Sequence, residues 1–401
     1  MMKILENFLI EAQVMPLRLN AGIESLQIFK KTDLMFLQYS NGAANEQIFK
    51  PISMVEPGFI LILPFISNLV KIDYQTLVNI FFYFFLFLSI GSIFYFISQS
   101  VNKFYYKIFS YFFVILINFY MYNRLFGLVV EWILYFYSAQ LILPLSLLII
   151  QKKIKNNIFT IGTIFFIAIL IDQFRSYASL GSVLFLTLIL AINERKFFKK
   201  IIILSIFAFY IAFPQLLNNY IENKQKENYY KLFSSYYHSE VKVNASIWYN
   251  VYRGLGFING GDVKGYNDEV IHQFLDGKKN NKNFEPSDEN NKLLKNEIIR
   301  IIKSDPGFVL RLYSAKLGVI FVYFIIFANI GIFLLFTKKI NLYIKMSFGI
   351  AFIFYSIPPM LAIPGLAYLG GVIGLGVFLF CYLLSFKKVN RKRNFVSFDK
   401  Y

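Results

Sequence analysis

Apolar runs of about 17 to 25 residues recur along the chain between short polar breaks. Wound as a helix, a run of this length covers the roughly 30 Å hydrocarbon core of a bilayer. Helices are expected because lipid offers no partners to unpaired backbone groups. The runs therefore predict an all-α polytopic membrane protein, in agreement with a mean hydropathy of +0.53 and a charged fraction of only 16%.

Nine of these runs are predicted to be transmembrane helices. Their approximate boundaries are 75–98, 105–123, 132–150, 157–171, 177–192, 199–217, 310–336, 341–360 and 365–386. The stretch 57–72 is shorter and contains Pro57 and Pro64, so we expect a juxtamembrane or half-inserted helix there.

This pattern divides the chain into five parts. They are an N-terminal segment with juxtamembrane helices (1–73), a six-helix membrane region (74–217), a large, mainly helical or irregular loop (218–309), a three-helix membrane region (310–386) and a basic tail (387–401).

Positive charge alternates between successive connections. Five segments on one side of the nine-helix pattern are rich in Lys and Arg, namely 103–107, 152–155, 195–200, 338–345 and 387–393. The positive-inside rule makes that side cytoplasmic. We therefore expect a multi-pass protein of the cytoplasmic (inner) membrane, with the large loop and the N-terminal segment extracytoplasmic and the C-terminus cytoplasmic.

The net charge of +18 raises the question of nucleic-acid binding. Residues 1–56 carry 5 basic and 6 acidic side chains, and residues 218–309 carry 13 and 12. The excess therefore belongs to the membrane regions and their cytoplasmic connections. It predicts contact with anionic membrane lipid and no nucleic-acid partner.

Six charged residues flank the outer ends of predicted spans, where charge is costly and often functional. They are Arg124, Glu131, Asp172, Arg175, Arg311 and Lys316. Snorkelling or ion pairing accounts for any one of them taken alone. All six on one side fit an enzyme that handles a lipid-linked phosphate, with cations binding the phosphate and a carboxylate taking a proton from an acceptor hydroxyl.

The large loop contains the string NASIWYNVYRGLGFINGGDVKGYNDE over residues 244–269. Its glycines indicate tight turns or close backbone approach. Trp248 and Tyr252 suit either stacking on a sugar ring or packing of the loop onto the membrane region. The two histidines, His238 and His272, lack metal-ligand spacing, so no metal site is predicted.

The chain resembles the bacterial GT-C superfamily of integral membrane glycosyltransferases in four features. Asp33 in KKTDLMFLQYSNGAANEQIFKP precedes a Pro-rich juxtamembrane helix, and Glu131 in LVVEWILYF is similar to the acidic residue of the second outer loop. Arg175 in DQFRSYASLGSVLFL is similar to an Arg that opens a following span. The fourth feature is IWYNVYRGLGF followed by EIIRIIKSDPGFVLRLYSAKLGVIF, which bears Arg311 and Lys316.

The resemblance implies transfer of a sugar from a polyprenyl-phosphate donor to a glycan or lipid acceptor at the outer face of the membrane, in the assembly of cell-surface glycans or glycolipids. It implies that Asp33 is the general base and Glu131 a second acidic group. Because metal dependence varies in the superfamily, the cofactor is left open, with a divalent cation as one option. Donor-phosphate binding falls to Arg124, Arg175, Arg311 and Lys316, and acceptor or sugar binding to Trp248, Tyr252 and Asp172.

Three other classes of function remain open at this point. An O-antigen-type polymerase also has many spans and a large outer loop, but it would want Arg-rich outer loops, and this loop has only Arg253 and Arg300. A transporter or flippase of a lipid-linked substrate would place polar groups near the midplane on broken helices, whereas the interiors of these spans are almost uncharged. A noncatalytic assembly protein is the third.

Overall fold

The computed structural model describes residues 16–34, 36–40, 48–52, 55–126, 130–232, 247–266, 268–279, 288–336 and 340–385. Its helices, in chain order, are α1 Pro16–Thr32, α2 Leu63–Val70, α3 Tyr74–Ser100, α4 Phe104–Met121, α5 Leu134–Ile150, α6 Ile158–Phe174, α7 Leu180–Asn193, α8 Phe197–Leu232, α9 Ile247–Leu255, α10 Asp268–Lys279, α11 Asp288–Ser304, α12 Pro306–Ala328, α13 Ile332–Phe336, α14 Leu342–Leu361 and α15 Leu366–Ser385. A π-helical turn, Gly58–Ile62, leads into α2, and a 3₁₀ turn, Val130–Ile133, leads into α5.

Within these residues, seven helical segments are long and apolar enough to cross a membrane, which confirms the prediction of an all-α membrane protein in its general form. They are Tyr74–Ser100, Phe104–Leu125, Val130–Ile150, Phe197–Asn228, Pro306–Ala328, Leu342–Leu361 and Leu366–Ser385. The predicted spans 157–171 and 177–192 form α6 and α7, which are apolar but have only 17 and 14 residues. Gly58–Val70 is another short apolar helix, at the place predicted for a juxtamembrane helix.

Helices α5 and α15 form the buried centre of the bundle. Their apolar segments are 89% and 83% buried, as expected for helices that are hydrophobic on every side. Glycines bring the two backbones together: a Cβ added at Gly374 would lie 2.7 Å from the Cβ of Ala139, and one at Gly370 would lie 3.2 Å from the backbone nitrogen of Phe136. Small residues four apart are a common means of close helix contact in membranes.

Helix α8 extends further than predicted. The apolar run ends near 217, but the helix continues to Leu232, so the predicted start of the large loop at 218 falls inside it. The added segment is rich in Lys, Glu and Gln, which lower hydropathy but favour helix. Gln225 in this extension donates to the backbone oxygens of Phe36 (3.1 Å) and Ile52 (2.8 Å).

The N-terminal segment contains a feature absent from the all-α prediction. Strands β1 Leu37–Ser40 and β2 Ile48–Pro51 pair antiparallel, with Leu37 opposite Pro51. The residues that Gln225 contacts lie at the base of this hairpin, so α8 and the N-terminal segment are held together there.

The helices α9, α10 and α11, here called the loop helices, surround a core of their own within the predicted large loop. That core includes Leu255, Ile271 and Leu294 and extends to Phe308 at the start of α12. A Cβ added at Gly256 would collide with the backbone oxygen of Gly265, and one added at Gly261 with the Phe308 ring, while Gly260 and Gly265 have positive φ. The expectation of tight turns and close approach at these glycines is confirmed.

The basic connection after α5 and the loop helices lie at opposite ends of the bundle. At one end, Lys153 Nζ donates to Ser100 Oγ (3.3 Å), and Ser100 Oγ donates to Gln151 (3.0 Å), so this connection meets the end of α3. The loop helices contact the opposite end, where α14 finishes at Leu361.

We predict that Gly374→Ala destabilises the bundle, because its Cβ has no room beside Ala139. Overpacking of this kind costs about 1 to 3 kcal/mol. The matched control is Gly162→Ala on α6, where an added Cβ meets nothing within 4 Å and helix propensity favours Ala by up to about 1 kcal/mol. Thermal unfolding in detergent measures both variants. Equal melting temperatures for the two would contradict the packing of α5 on α15.

Candidate functional site

Four charged side chains meet in a buried cluster. Arg18 donates from Nε to Glu56 Oε2 (2.5 Å), from Nη2 to Glu56 Oε1 (3.1 Å) and from Nη1 to Glu131 Oε1 (2.7 Å). Arg175 donates from Nη1 to Glu56 Oε1 (3.1 Å). The four side chains are at most 13% exposed. We call them the Arg–Glu cluster; it contains two arginines and two glutamates.

Each member of the cluster lies at the end of a helical element. Arg18 is in the first turn of α1, and Glu131 is in the 3₁₀ turn that leads into α5. Arg175 directly follows α6 with extended backbone (φ −152°). Glu56 directly precedes Pro57, which restricts it to extended conformations and ends the preceding segment. The cluster therefore joins the N-terminal segment to the ends of two membrane helices.

Aromatic rings form one wall of the cluster. The Arg175 guanidinium carbon lies 3.2 Å from the centroid of the Trp132 ring and 6.0 Å from that of Tyr135. Trp132 meets Tyr368, at the start of α15, edge to face at 4.2 Å. A guanidinium on the face of an indole is favourable and keeps the planar group in a fixed orientation.

The loop helices reach this wall through Arg253 of α9. Its Nη2 donates to the hydroxyl of Tyr368, and its Nη1 donates to Asp268 Oδ1 (2.8 Å). The next residue, Gly254, packs so closely on the end of α14 that an added Cβ would lie 2.3 Å from the Leu361 oxygen. The loop helices are thus seated on the membrane helices directly beside the cluster.

Electrostatic attraction keeps Glu56 and Arg18 ionised. Burial raises the pKa of Glu56, but the charges of Arg18 and Arg175 outweigh it, and the pKa ends below its usual value of 4.5. Burial lowers the pKa of Arg18, but Glu56 and Glu131 outweigh it, and the pKa ends above its usual value. Both groups are therefore charged at neutral pH.

Three polar atoms in and beside the cluster are buried without a hydrogen-bond partner among the described residues. They are Glu131 Oε2, Arg175 Nε and Arg253 Nε. Buried polar groups are nearly always paired, so these atoms have capacity for a ligand. A carboxylate oxygen accepts a hydrogen bond, for example from a hydroxyl, and a guanidinium nitrogen donates one to an anionic oxygen.

The structure brings together two of the predicted site residues, Glu131 and Arg175, but not Asp33. Asp33 is exposed and lies just past the end of α1, fifteen residues beyond Arg18. At 1.5 Å per residue, this helix separates the two positions by about 22 Å. The expectation that Asp33 and Glu131 share a catalytic site is therefore corrected, because the acidic residue that packs against Arg175 is Glu56.

The predicted phosphate-binding residues do not form one site. Arg124 is exposed, with its guanidinium 6.0 Å from the Tyr120 ring, and Arg311 is exposed on α12. Lys316 is buried and donates from Nζ to the backbone oxygens of Met360 (2.9 Å) and Ala362 (2.6 Å). It therefore caps the C-terminal end of α14. Of the four, only Arg175 belongs to the Arg–Glu cluster.

The residues predicted for sugar or acceptor binding have structural partners. Asp172 accepts from the Ser179 backbone nitrogen (2.8 Å) and the Tyr210 hydroxyl (2.6 Å), so it holds the start of α7 and a side chain of α8. Tyr252 is 5% exposed and packs on Phe274 in the core of the loop helices. Trp248 packs against the same core. Both aromatics thus pack within the loop helices, whereas the packing alternative had expected the loop to pack onto the membrane region through them.

Sequence reasoning missed Arg18, Glu56 and Arg253. For Glu56 a signal was present, because it directly precedes Pro57 and the apolar helix, closer than Asp33 does. For Arg18 no local signal exists, because its partners lie 38 and 113 residues away. Arg253 stood in the prominent IWYNVYRGLGF string, but only the fold places it beside Tyr368.

The chain matches no family model, no curated protein and no solved structure. The described residues contain no group of three or more His, Cys, Asp or Glu side chains that could hold a metal ion. What the structure defines is a class: a mainly helical protein whose described residues include seven helical segments long and apolar enough to cross a membrane, with a buried Arg–Glu cluster beside the loop helices.

We predict that Arg18→Met strongly destabilises the protein, because it leaves Glu56 and Glu131 buried without their main cation. Removing one partner of a buried ion pair typically costs about 3 to 5 kcal/mol. Asp33→Asn is the control: it is an exposed change at the far end of the same helix, expected within about 0.5 kcal/mol of wild type. Thermal unfolding in detergent compares the two. A wild-type melting temperature for Arg18→Met would refute the pairing.

The lowered pKa of Glu56 predicts a dependence of stability on pH. Its folded-state pKa lies below the unfolded value of 4.5, so its stabilising effect is complete above about pH 4.5 and is lost as the pH falls below that value. The difference in melting temperature between wild type and Glu56→Gln should therefore be constant from pH 7 to 5 and shrink at lower pH. A melting-temperature difference that grows as the pH falls would contradict the lowered pKa of Glu56.

Proposed function

We propose that the protein is a GT-C-like glycosyltransferase that moves a sugar from a polyprenyl-phosphate donor to a glycan or lipid acceptor at the outer face of the cytoplasmic membrane. The proposal places the Arg–Glu cluster, and not Asp33, at the reaction centre. The observation that carries it is the unpaired Glu131 Oε2 in the same cluster as Arg175, whose Nε is also unpaired, with the unpaired Nε of Arg253 at the neighbouring aromatic wall.

In the proposed reaction, Glu131 Oε2 accepts the proton of an acceptor hydroxyl, and the resulting oxygen attacks the anomeric carbon of the donor sugar. The bond from that carbon to the phosphate oxygen breaks, polyprenyl phosphate leaves, and the anomeric configuration inverts. Arg18 holds Glu131 through its other oxygen, Oε1. This leaves Oε2 oriented for the base role.

In this proposal, arginines at the cluster bind the phosphate of the donor. Arg175 is held in place by Glu56 and the Trp132 ring, and its Nε is unused. Arg253 is paired with Asp268, an exchangeable partner at the edge of the loop helices. A donor phosphate would replace Asp268 on Arg253 and so exchange one anion for another. Guanidinium groups suit this task because they bind phosphate through two parallel hydrogen bonds.

The loop helices control access in this proposal. The cluster is buried, and the contact of Arg253 with Tyr368 closes it from the side of α9. Movement of the loop helices away from Tyr368 would open the cluster to donor and acceptor, and their return would exclude water during transfer.

The proposed topology has nine spans, with the loop helices extracytoplasmic and the C-terminus cytoplasmic. Two of these spans, α6 and α7, are shorter than the usual bilayer crossing, and local thinning of the bilayer accommodates short spans at modest cost. The support is the basic connection after α5, which meets the end of α3 at the end of the bundle away from the loop helices.

The competing polymerase hypothesis requires arginines of the outer loop that are available to substrate. Of the two arginines of this loop, Arg300 is engaged by Asp262 and Glu297, which leaves Arg253 as the one that a substrate could reach by displacing Asp268. The carboxylate of Glu131, with its unpaired oxygen in the cluster, favours acceptor activation, which a flippase does not need.

The test uses proteoliposomes supplied with a panel of polyprenyl-phosphate hexoses and a membrane lipid extract as acceptor source, with release of polyprenyl phosphate as the readout. We predict that Glu131→Gln lowers kcat by about 10² to 10⁴-fold, because an amide accepts no proton. Arg175→Lys should chiefly raise KM for the donor, because it loses the fork geometry that binds phosphate. Asp33→Asn should behave as wild type.

Rates are compared per amount of folded protein. The Glu131→Gln variant is expected to fold, because its amide retains an oxygen that can accept from Arg18. A kcat of Glu131→Gln equal to that of wild type would contradict the assignment of Glu131 as the base. Movement of intact donor across the bilayer without cleavage would identify a flippase in place of a transferase.

A further inference from the structure

An apolar groove lies between α12, α13, α14 and α15, on the opposite half of the bundle from the Arg–Glu cluster. Its volume is about 230 Å³, and all the side chains that line it are apolar. The floor is buried, with Phe324, Phe348 and Leu375 at most 5% exposed. The rim is open, with Phe321 47% and Ile325 54% exposed. The groove therefore opens sideways, toward the lipid.

The depth of the groove follows from α14, which begins at Leu342. Gly349 and Phe352 line the groove seven and ten residues further on, about 10 to 15 Å along the helix. Half of a bilayer's hydrocarbon core is about 15 Å thick. The groove therefore lies in one leaflet, on the side of the basic connections.

A positive charge stands at the mouth of this groove. Lys345 is one turn before Gly349 on α14, so the two share a helix face. An apolar groove with a cation at its headgroup end is complementary to a lipid with an anionic headgroup.

We propose that this groove binds one acyl chain of an anionic phospholipid, with the lipid phosphate near Lys345. An apolar cavity of about 150 Å³ already takes up benzene, so 230 Å³ holds a stretch of a hydrocarbon chain. A helix of a second protein, about 10 Å across, is too wide for it. The site is in the leaflet opposite to the proposed donor site, so it stands independently of the proposed function.

Gly349 offers a direct way to fill the groove. A Cβ added there meets nothing within 4 Å, so a larger side chain fits and projects into open space. The same is true of Gly162 on α6, which does not line the groove and serves as the matched control. The two variants to compare are Gly349→Phe and Gly162→Phe.

The experiment places the full chain in nanodiscs that contain phosphatidylglycerol with a photoreactive group in one acyl chain, and locates the crosslinks by mass spectrometry. Wild type should be labelled within residues 321–336 and 346–352. Gly349→Phe should reduce this labelling by about tenfold or more, because the chain loses its apolar contacts, and Gly162→Phe should leave it unchanged. Lys345→Gln should reduce phosphatidylglycerol labelling by about fivefold.

Thermal unfolding first establishes that each variant is folded. Equal labelling of Gly349→Phe and Gly162→Phe would overturn the site, and equal labelling by phosphatidylcholine and phosphatidylglycerol in wild type would overturn the headgroup assignment. Displacement by polyprenyl phosphate, or crosslinks between two copies of the chain in place of lipid adducts, would overturn the occupant.

Discussion

The burial of Arg18 between Glu56 and Glu131 is the constraint on which the arrangement of the N-terminal segment against the membrane helices depends. Removing a charge from water costs several kcal/mol unless a partner of opposite sign is held close to it. Here each carboxylate has a guanidinium within 3.1 Å. The pairing requires that α1, the turn before α2 and the start of α5 meet at one point. Displacement of any one of them would leave an unpaired buried charge.

Hydropathy predicted the helices well because lipid imposes both their length and their composition. It failed where interactions other than burial in lipid decide where an element begins or ends. Helix α8 continues past 217 because its polar extension retains helix-forming residues, and Gln225 then anchors it to backbone oxygens of the N-terminal segment. The hairpin formed by Leu37–Ser40 and Ile48–Pro51 is too short to leave a periodic pattern in the sequence.

The site was predictable in part, for a definable reason. Glu131 and Arg175 are charges at the ends of apolar helices, and such positions are visible in a sequence. Their partners are not, because Arg18 meets Glu56 and Glu131 across 38 and 113 residues of chain. Asp33 stands ahead of the Pro-rich apolar helix, as the resemblance required, but a rigid helix carries it away from the cluster. Glu56, which directly precedes the same apolar helix, is the carboxylate that pairs with Arg18 and Arg175.

Coupling between the loop helices and the cluster follows from two neighbouring residues with different roles. Gly254 fixes the position of α9, because no side chain fits between it and the end of α14. Arg253 then has its guanidinium directed at Tyr368, which contacts Trp132, the ring that supports Arg175. A ligand that takes Arg253 from Asp268 would therefore loosen the loop helices and alter the support of Arg175 at once. Ligand binding at Arg253 and closure of the loop helices over the cluster would then be one equilibrium, because the same contacts contribute to both.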